Sequence, residues 1–443
     1  MNLKKYKLKD LVDNFSIRAR DYGGSEGLEF LGVSNDDGIV KSKSAAEHKG
    51  EEYKIIEKGC FAYNPYRVNI GSIAYHNEES KGLISPAYVI FKTKPNSIKD
   101  NLLFKFLKSA EGLRQINFYS RGTVRKALRF DDLCEIEISI PSFEEQEFLI
   151  QNIEDIEVQT EEFNTELIHQ LDLVKQIRQA FLREAMQGKM VEGIDTGQEL
   201  LIKIKAEKSR LIKEKKLKAG LASSQSISHI DDYIIPVNWT WCKADEIFFI
   251  TKLAGFEYSK HIKLTEEGEI PVIRAQNVRP LNIEKKNLLY IDKETSFLLE
   301  RCALTKKCLL VTFIGAGIGD VSTFEEKERW HLAPNVAKVE PFLGCEELIN
   351  VKFVNYFLMS DIGQKEIFKH VKATAQPSLS MGTIRDIDIP LPSTLEQKQI
   401  VAKLDELMNF CDGLEQSVKE SQGLNEKVLQ HVLREALQTK DKV

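Results

Sequence analysis

The sequence predicts an α+β chain of two similar globular domains separated by two long antiparallel coiled-coil helices, an internal repeat with pseudo-twofold character. Three observations predict it. EIEISIPSFEEQ (135–146) matches DIDIPLPSTLEQ (386–397), and FLREAMQGK (181–189) matches VLREALQTK (432–440), both at an offset of 251 residues. Between these anchors, apolar residues recur in alternating steps of three and four, the spacing of a helical seam. The 443 residues also exceed what one core ordinarily organises.

The first domain spans 1–143 and closes in a strand that stops at Pro141. The first long helix follows over 144–187, with a seam of Ile153, Ile156, Thr160, Phe163, Leu167, Gln170, Val174, Ile177 and Phe181. Residues 188–230 form a basic helix, ELLIKIKAEKSRLIKEKKLKAG, and a polar linker, LASSQSISH. Such a charge run is ordinarily a solvated face; nucleic-acid contact is the sharper reading. The second domain spans 231–393. The second long helix, 394–441, repeats the register at Leu404, Leu407, Cys411, Leu414, Val418, Ser421, Asn425, Val428 and Val432. Polar seam positions favour one register at a cost in stability. A helix of this length makes a rod of roughly 65 Å, so antiparallel pairing would set the two domains at opposite ends of it.

The domains correspond more weakly than the helices. GCFAYNPYRVNIGSIA (59–74) aligns with KCLLVTFIGAGIGDVS (307–322), and Ile84-Ser85-Pro86-Ala87 with Leu332-Ala333-Pro334-Asn335. Ser109, Gly112 and Thr123 then meet Ser360, Gly363 and Thr374. This is the pattern of one fold carrying divergent surfaces.

The net charge of −5 is unevenly spread: the first helix carries −8 and the first domain +4, so the total does not exclude a nucleic-acid partner. Seven scattered cysteines without a C-x-x-C fit free thiols in a reducing cytoplasm better than disulfides or zinc. No apolar run reaches the roughly 18 residues of a membrane span, and the basic N-terminus has no secretory apolar stretch behind it.

Searches for catalysis fail. There is no Walker-A lysine loop, no H-E-x-x-H and no metal-ligand spacing among the histidines. Asp388, Glu396 and Lys398 mimic a nuclease triad, but their repeat counterparts are Glu137, Glu145 and Glu147, on a joint where helix capping explains the acids. Phe313, Gly315 and Gly317 mimic the adenosylmethionine loop of methyltransferases, and a tight turn explains them better. Asn64-Pro65-Tyr66 has one proline too few for a methyltransferase motif.

The order of a domain, a P-S-x-x-E-Q helix ending in R-E-A, a second domain and a second such helix resembles the Type I restriction–modification specificity subunit. The likeness covers nearly the whole chain. IPVNWTWCKADEI (235–247) is similar to the usual opening of a target-recognition domain, and TAQPSL (374–379) to the segment before its last strand. The first domain lacks the W-x-W opening and has GTVRKAL (122–128) instead of TAQPSL. The resemblance implies two target-recognition domains on double-stranded DNA, with two methyltransferase subunits and two restriction (motor) subunits as partners. It implies no cofactor on this chain, with adenosylmethionine and ATP on the partners. The residues alone leave open a self-contained methyltransferase or nuclease with degenerate motifs, or a coiled-coil scaffold without DNA contact.

Arg, Lys, Asn and Gln read base edges, and basic groups fix phosphates. In the first domain the candidates are Tyr119, Arg121, Arg125, Lys126 and Arg129, with Tyr66 and Arg67 on a second loop. In the second they are Arg274, Gln276, Asn277 and Arg279 in IRAQNVRP, and Gln376 in TAQPSL. Off the helical seams, Leu149, Ile150, Ile168, Leu171, Leu173 and Leu182 form a second apolar set. Leu149, Ile168, Leu171 and Leu182 are the candidates for docking partner helices, against packing within the chain itself.

Overall fold

The computed structural model describes residues 2–35, 37–42, 50–122, 126–193, 195–217, 233–369 and 378–437. Its backbone divides into two compact units, Met1–Gln170 with Ser417–Val443, and Leu171–Gln416. Each unit holds one globular module and part of each long helix.

In the first unit, β1 (Lys4–Lys7) pairs antiparallel with β10 (Glu137–Ile140). One four-stranded sheet orders β2 (Val12–Asn14), β9 (Val89–Thr93), β6 (Phe61–Tyr63) and β7 (Ile73–Tyr75). Another orders β4 (Ile39–Lys41), β3 (Glu29–Val33), β8 (Gly82–Ile84) and β5 (Lys54–Ile56), with β3 and β8 parallel. The second unit repeats the plan. β11 (Thr240–Lys243) pairs with β22 (Asp388–Leu391). The sheets run β12 (Phe248–Lys252), β21 (Val336–Pro341), β18 (Cys308–Thr312), β19 (Val321–Phe324), and β16 (Leu289–Ile291), β13 (Ile270–Ile273), β20 (Trp330–Leu332), β17 (Ala303–Leu304). Even the one parallel pairing recurs, between β13 and β20. The second unit adds a hairpin, β14 (Val278–Arg279) and β15 (Asn282–Ile283).

Strand period explains the layering. Alternate side chains of a strand point to opposite faces. Phe61 and Tyr63 of β6 join one core with Phe106 and Ile138, while Ala62, with the adjacent Cys60, joins another with Ile56 and Ile84. In β18, Leu309 and Val311 enter one core and Cys308 and Leu310 a second. A strand buried on both faces reads as a continuous apolar run, which is why CLLVT shows no alternation.

The short matches between the copies have structural causes. Ser109 Oγ accepts from Gly112 N at 3.1 Å and donates to the Phe106 carbonyl at 2.7 Å; Ser360 does the same for Gly363 and Phe357 at 3.2 and 2.6 Å. A Cβ on either glycine would lie 2.0 Å from that carbonyl oxygen. Gln146 and Gln397, both fully buried, lie at the start of the long helices. Gln146 Oε1 accepts from Lys99 N at 2.8 Å and its amide donates to the Ser97 and Pro141 carbonyls. Gln397 accepts from Asn350 N at 2.8 Å and donates to the Pro392 carbonyl at 3.0 Å.

The long helices span Gln146–Met186 and Thr394–Leu437 and run antiparallel within each unit. In the first unit, Asn425 Nδ2 donates to the Thr160 carbonyl at 2.8 Å, while Leu429 packs on the core that holds Leu149, Ile150 and Ile153. In the second, Arg178 pairs with Asp412 and Glu415, while Leu182 and Met186 share a core with Leu404 and Met408. The expected continuous seam is interrupted. Ile153, Leu167, Val174, Leu404 and Cys411 are buried, but Phe163 is 48% exposed and Ile177 and Val428 are also exposed. Asn425 inserts a polar layer against Thr160, one seam step from Phe163.

The basic helix also departs from the solvated-face reading. Gly197–Lys213 buries Leu200, Leu201, Ile204 and Leu211 in the second unit's core, and Lys205 and Lys208 are held by Glu246 and the Asp245 carbonyl. Its 3.6-residue apolar period was hidden under the count of lysines.

Gln397→Leu removes the side-chain partner of the Asn350 backbone N–H. Urea unfolding of the full chain is expected to lose about 1–3 kcal/mol, and Gln146→Leu to do the same in the first unit. Unchanged unfolding of both variants would show that the buried amides are dispensable.

Candidate nucleic-acid interface

In the first unit the turn between β6 and β7 is built by Asn64, whose Oδ1 accepts from Tyr66 N at 3.0 Å. A short 3-10 helix, Val68–Ile70, then ends at Gly71 with φ 85°. Tyr66 and Arg67 face solvent. A second loop docks on this turn through Leu128 N, which donates to the Pro65 carbonyl at 3.0 Å. Its neck is tied by reciprocal backbone bonds between Arg121 and Ala127 at 3.0 and 2.8 Å. The exposed guanidinium of Arg121 is aimed by the largely buried Asp132 carboxylate, with Nε to Oδ1 at 2.8 Å. Lys126 and Arg129 are exposed on the same loop. Tyr66, Arg67, Arg121, Lys126 and Arg129 therefore occupy two joined loops. Arg125 lies outside the described residues. Tyr119 is half-buried, packed on the core and edge-on to Phe118 with ring centroids 5.0 Å apart, so its ring serves the scaffold first.

The second unit places its candidates differently. Asn277 is fully buried: its Oδ1 accepts from Arg274 N at 3.1 Å, and its amide donates to the Glu284 and Lys286 carbonyls. It cannot reach a base, and its expected role in base reading is corrected to that of a loop clamp. Arg274 is half-buried and donates to the Asn287 carbonyl at 2.6 Å, which commits one arm of its fork to the same loop. Gln276 and Arg279 remain exposed. The β14–β15 hairpin is fastened by Leu281 N to the Val321 carbonyl at 3.0 Å, which brings Arg279 beside the 313–320 turn. There a Cβ on Gly317 would stand 2.7 Å from Asp320 Oδ2 and 3.8 Å from Arg279 Nη1. Burial pushes the Asp320 carboxyl up, and the Arg279 guanidinium opposes that shift. Phe313, Gly315 and Gly317 lie in the turn between antiparallel β18 and β19, with Gly315 at φ 112° and Gly319 at φ 86°. Gln376 lies outside the described residues; nearby Ser378 bridges to Ile314.

Of the apolar docking candidates, Leu149 and Leu182 are corrected: both are buried in module cores, because the modules cover the helix ends on which they sit. Ile168 is exposed and Leu171 half-buried. Of the residues that mimic a nuclease, Asp388 and Glu396 are structural and Lys398 is exposed. Asp388 is buried against Lys243 at 2.7 Å, and Glu396 accepts from Trp239 Nε1 at 2.6 Å and Asn238 Nδ2 at 2.8 Å. Among the described residues no group of three or more His, Cys, Asp or Glu is placed to hold a metal ion.

Beside the two joined loops, Phe118 and Ile70 are exposed apolar residues that the sequence reading passed over. Helical period could have found the first. The buried face of Ala110–Tyr119 runs through Gly112 and Ile116, and Phe118 falls on the opposite side.

Comparison with known proteins bears on this geometry. The family described as the Type I restriction modification DNA specificity domain matches twice, over residues 2–173 and 236–423, each a module with most of its long helix. The Type I restriction enzyme EcoBI specificity subunit of Escherichia coli is 22% identical over 433 residues, covering 96% of this chain and 83% of that protein. A chain from a solved type I R-M system has a TM-score of 0.59 at 13% identity, covering 98% of this chain and 97% of its own length. The HsdS subunit from Thermoanaerobacter tengcongensis has a TM-score of 0.54 at 14% identity, covering 98% and 96%. Both share the fold.

The clamp assignment separates two neighbours. Asn277→Ala is expected to lower unfolding stability by about 1–3 kcal/mol by removing a buried side chain that answers three backbone groups. Gln276→Ala, at an exposed position, is expected to stay within about 0.5 kcal/mol. Thermal unfolding of the two variants measures the difference, and equal values would overturn the assignment.

Proposed function

The chain belongs to the Type I restriction modification DNA specificity family, and from that premise we propose that it is the sequence-reading subunit of a restriction–modification complex, without a catalytic centre of its own. Each module contacts one part of a bipartite, asymmetric target in double-stranded DNA. Methyl transfer belongs to two methyltransferase subunits, which bind adenosylmethionine, and cleavage to two restriction subunits, which bind ATP. The repeat supports the pairing, since two like surfaces on one chain can take two copies of one partner. Exposed Ile168 and half-buried Leu171 support docking of partner helices on the long helices. Among the described residues no helix is long and apolar enough to cross a membrane. The described cysteines are free thiols, which suits work on DNA in a reducing cytoplasm.

One observation carries this reading: a common scaffold whose equivalent turns have diverged. Asn64-Pro65-Tyr66-Arg67-Val68-Asn69-Ile70 occupies the place of Thr312-Phe313-Ile314-Gly315-Ala316-Gly317-Ile318. Side chains able to read or anchor DNA fill one turn, and glycines leave the other to backbone and neighbouring Arg279. Two unlike surfaces on like modules suit a target whose halves differ.

Methylome mapping with and without the chain is the direct test. A split, asymmetric methylated motif is expected to vanish on deletion, and exchange of residues 231–393 to change only one half. Persistence of the motif without the chain would refute the reading. Arg121→Ala is expected to weaken binding at the first module's half-site by about 1–3 kcal/mol in a gel-shift titration of the methyltransferase complex, with assembly intact.

A further inference from the structure

We propose that Phe118 and Ile70 read the 5-methyl group of thymine in the half-site contacted by the first module, an inference that rests on the DNA-reading role proposed above. Phe118 is 74% exposed and Ile70 63% exposed. Neither sits on a loose tip. Ile70 ends a 3-10 helix closed by Gly71, and Phe118 lies in the last turn of Ala110–Tyr119, braced edge-on by Tyr119. Their two elements are joined by Asn117 Nδ2, which reaches the Asn69 carbonyl at 3.5 Å. Asn35 Nδ2 fixes the Ile70 carbonyl at 2.9 Å, and Lys108 in turn donates to the Asn35 carbonyl at 3.2 Å.

The fold does not require these exposed groups. At the equivalent positions of the second module, Ile318 packs against the core and Lys369 is paired with Glu366 and Asp388. The second module instead exposes Ile314 in its turn and Phe368 at its helix end, so both modules offer apolar groups here but at shifted positions, and the arrangement of Phe118 and Ile70 belongs to the first. Chemistry narrows what it can recognise. The neighbouring Asn35 and Asn117 amide groups already donate to main-chain carbonyls, so the patch offers rings and methyls rather than bidentate hydrogen bonds. Arg67, next along the turn, and Arg121 beyond the helix supply positive charge for the flanking phosphates. In the major groove, the base-edge feature recognised by apolar contact is the C5 methyl of thymine.

The test uses the chain assembled with its methyltransferase subunits and synthetic target duplexes, the first half-site being the one that survives exchange of residues 231–393. Replacing thymine by deoxyuridine in that half-site deletes only the methyl. Wild type is expected to lose about fourfold in affinity per contacted methyl, the effect of one buried methyl-sized group. Phe118→Ala and Ile70→Ala are expected to bind the thymine duplex more weakly and to respond less to deoxyuridine. The same replacement in the second half-site is expected to affect wild type and variants alike, which checks that the variants are folded. A first half-site without an A·T pair, a wild type indifferent to deoxyuridine there, or variants that keep the full thymine preference would overturn the proposal. Absence of any sequence-specific binding by the wild-type complex would instead overturn the DNA-reading role on which it rests.

Discussion

A buried glutamine at the root of each long helix is the constraint on which the rest depends. Gln146 and Gln397 have no exposed surface and answer backbone groups from separate segments of their own module. An amide in such a place fixes both distance and direction, because its own buried N–H and C=O groups cost free energy unless they are paired. It therefore sets where the helix leaves the module. Once that exit is set, the first helix can end in the second unit's core through Leu182 and Met186, and the second helix can reach the first unit's core through Leu429. Neither module core is complete without helical residues far away in sequence.

The same logic explains which residues the copies share. Positions that match are those with no alternative chemistry: a glycine whose Cβ would strike a carbonyl, a serine capping that glycine's helix, a glutamine answering main-chain groups. Where alternatives exist, the copies part. At the β1–β10 pair, Lys5 meets Glu137 and Lys7 meets Glu135 at 2.6 Å, whereas the second unit packs the helix Gly197–Lys213 beside β11–β22. Both arrangements satisfy a strand pair, one by solvated charge and one by burial.

This division decided what could be read from the sequence. The duplication and the two modules were legible because steric and hydrogen-bonding demands had preserved short strings at one offset. The candidate interface was legible only in part. Arg121 and Tyr66 were found by residue type and proved to be exposed on joined loops. Asn277 was chosen by the same rule and proved to be a clamp, since an asparagine suited to a base edge is equally suited to three backbone groups. Leu149 and Leu182 were misplaced because the period of a helix gives the direction of a side chain but not what covers it. Phe118 went unseen because a search for charge passes over a ring.

Separation of scaffold from surface also bears on how such a chain could change its target without unfolding. The residues that hold each module together are buried, and the groups proposed to meet DNA in the first module, Tyr66, Arg67 and Phe118, are exposed. Substitutions at exposed sites ordinarily alter stability by no more than about 0.5 kcal/mol, while base discrimination can shift by about 1–3 kcal/mol per contact. Selection on the turns can then proceed almost independently of selection on the cores. Arg121 is the exception, because the largely buried Asp132 carboxylate that aims it would lose its partner. That position ties an exposed guanidinium, proposed to read DNA, to stability, which Tyr66 and Arg67 do not.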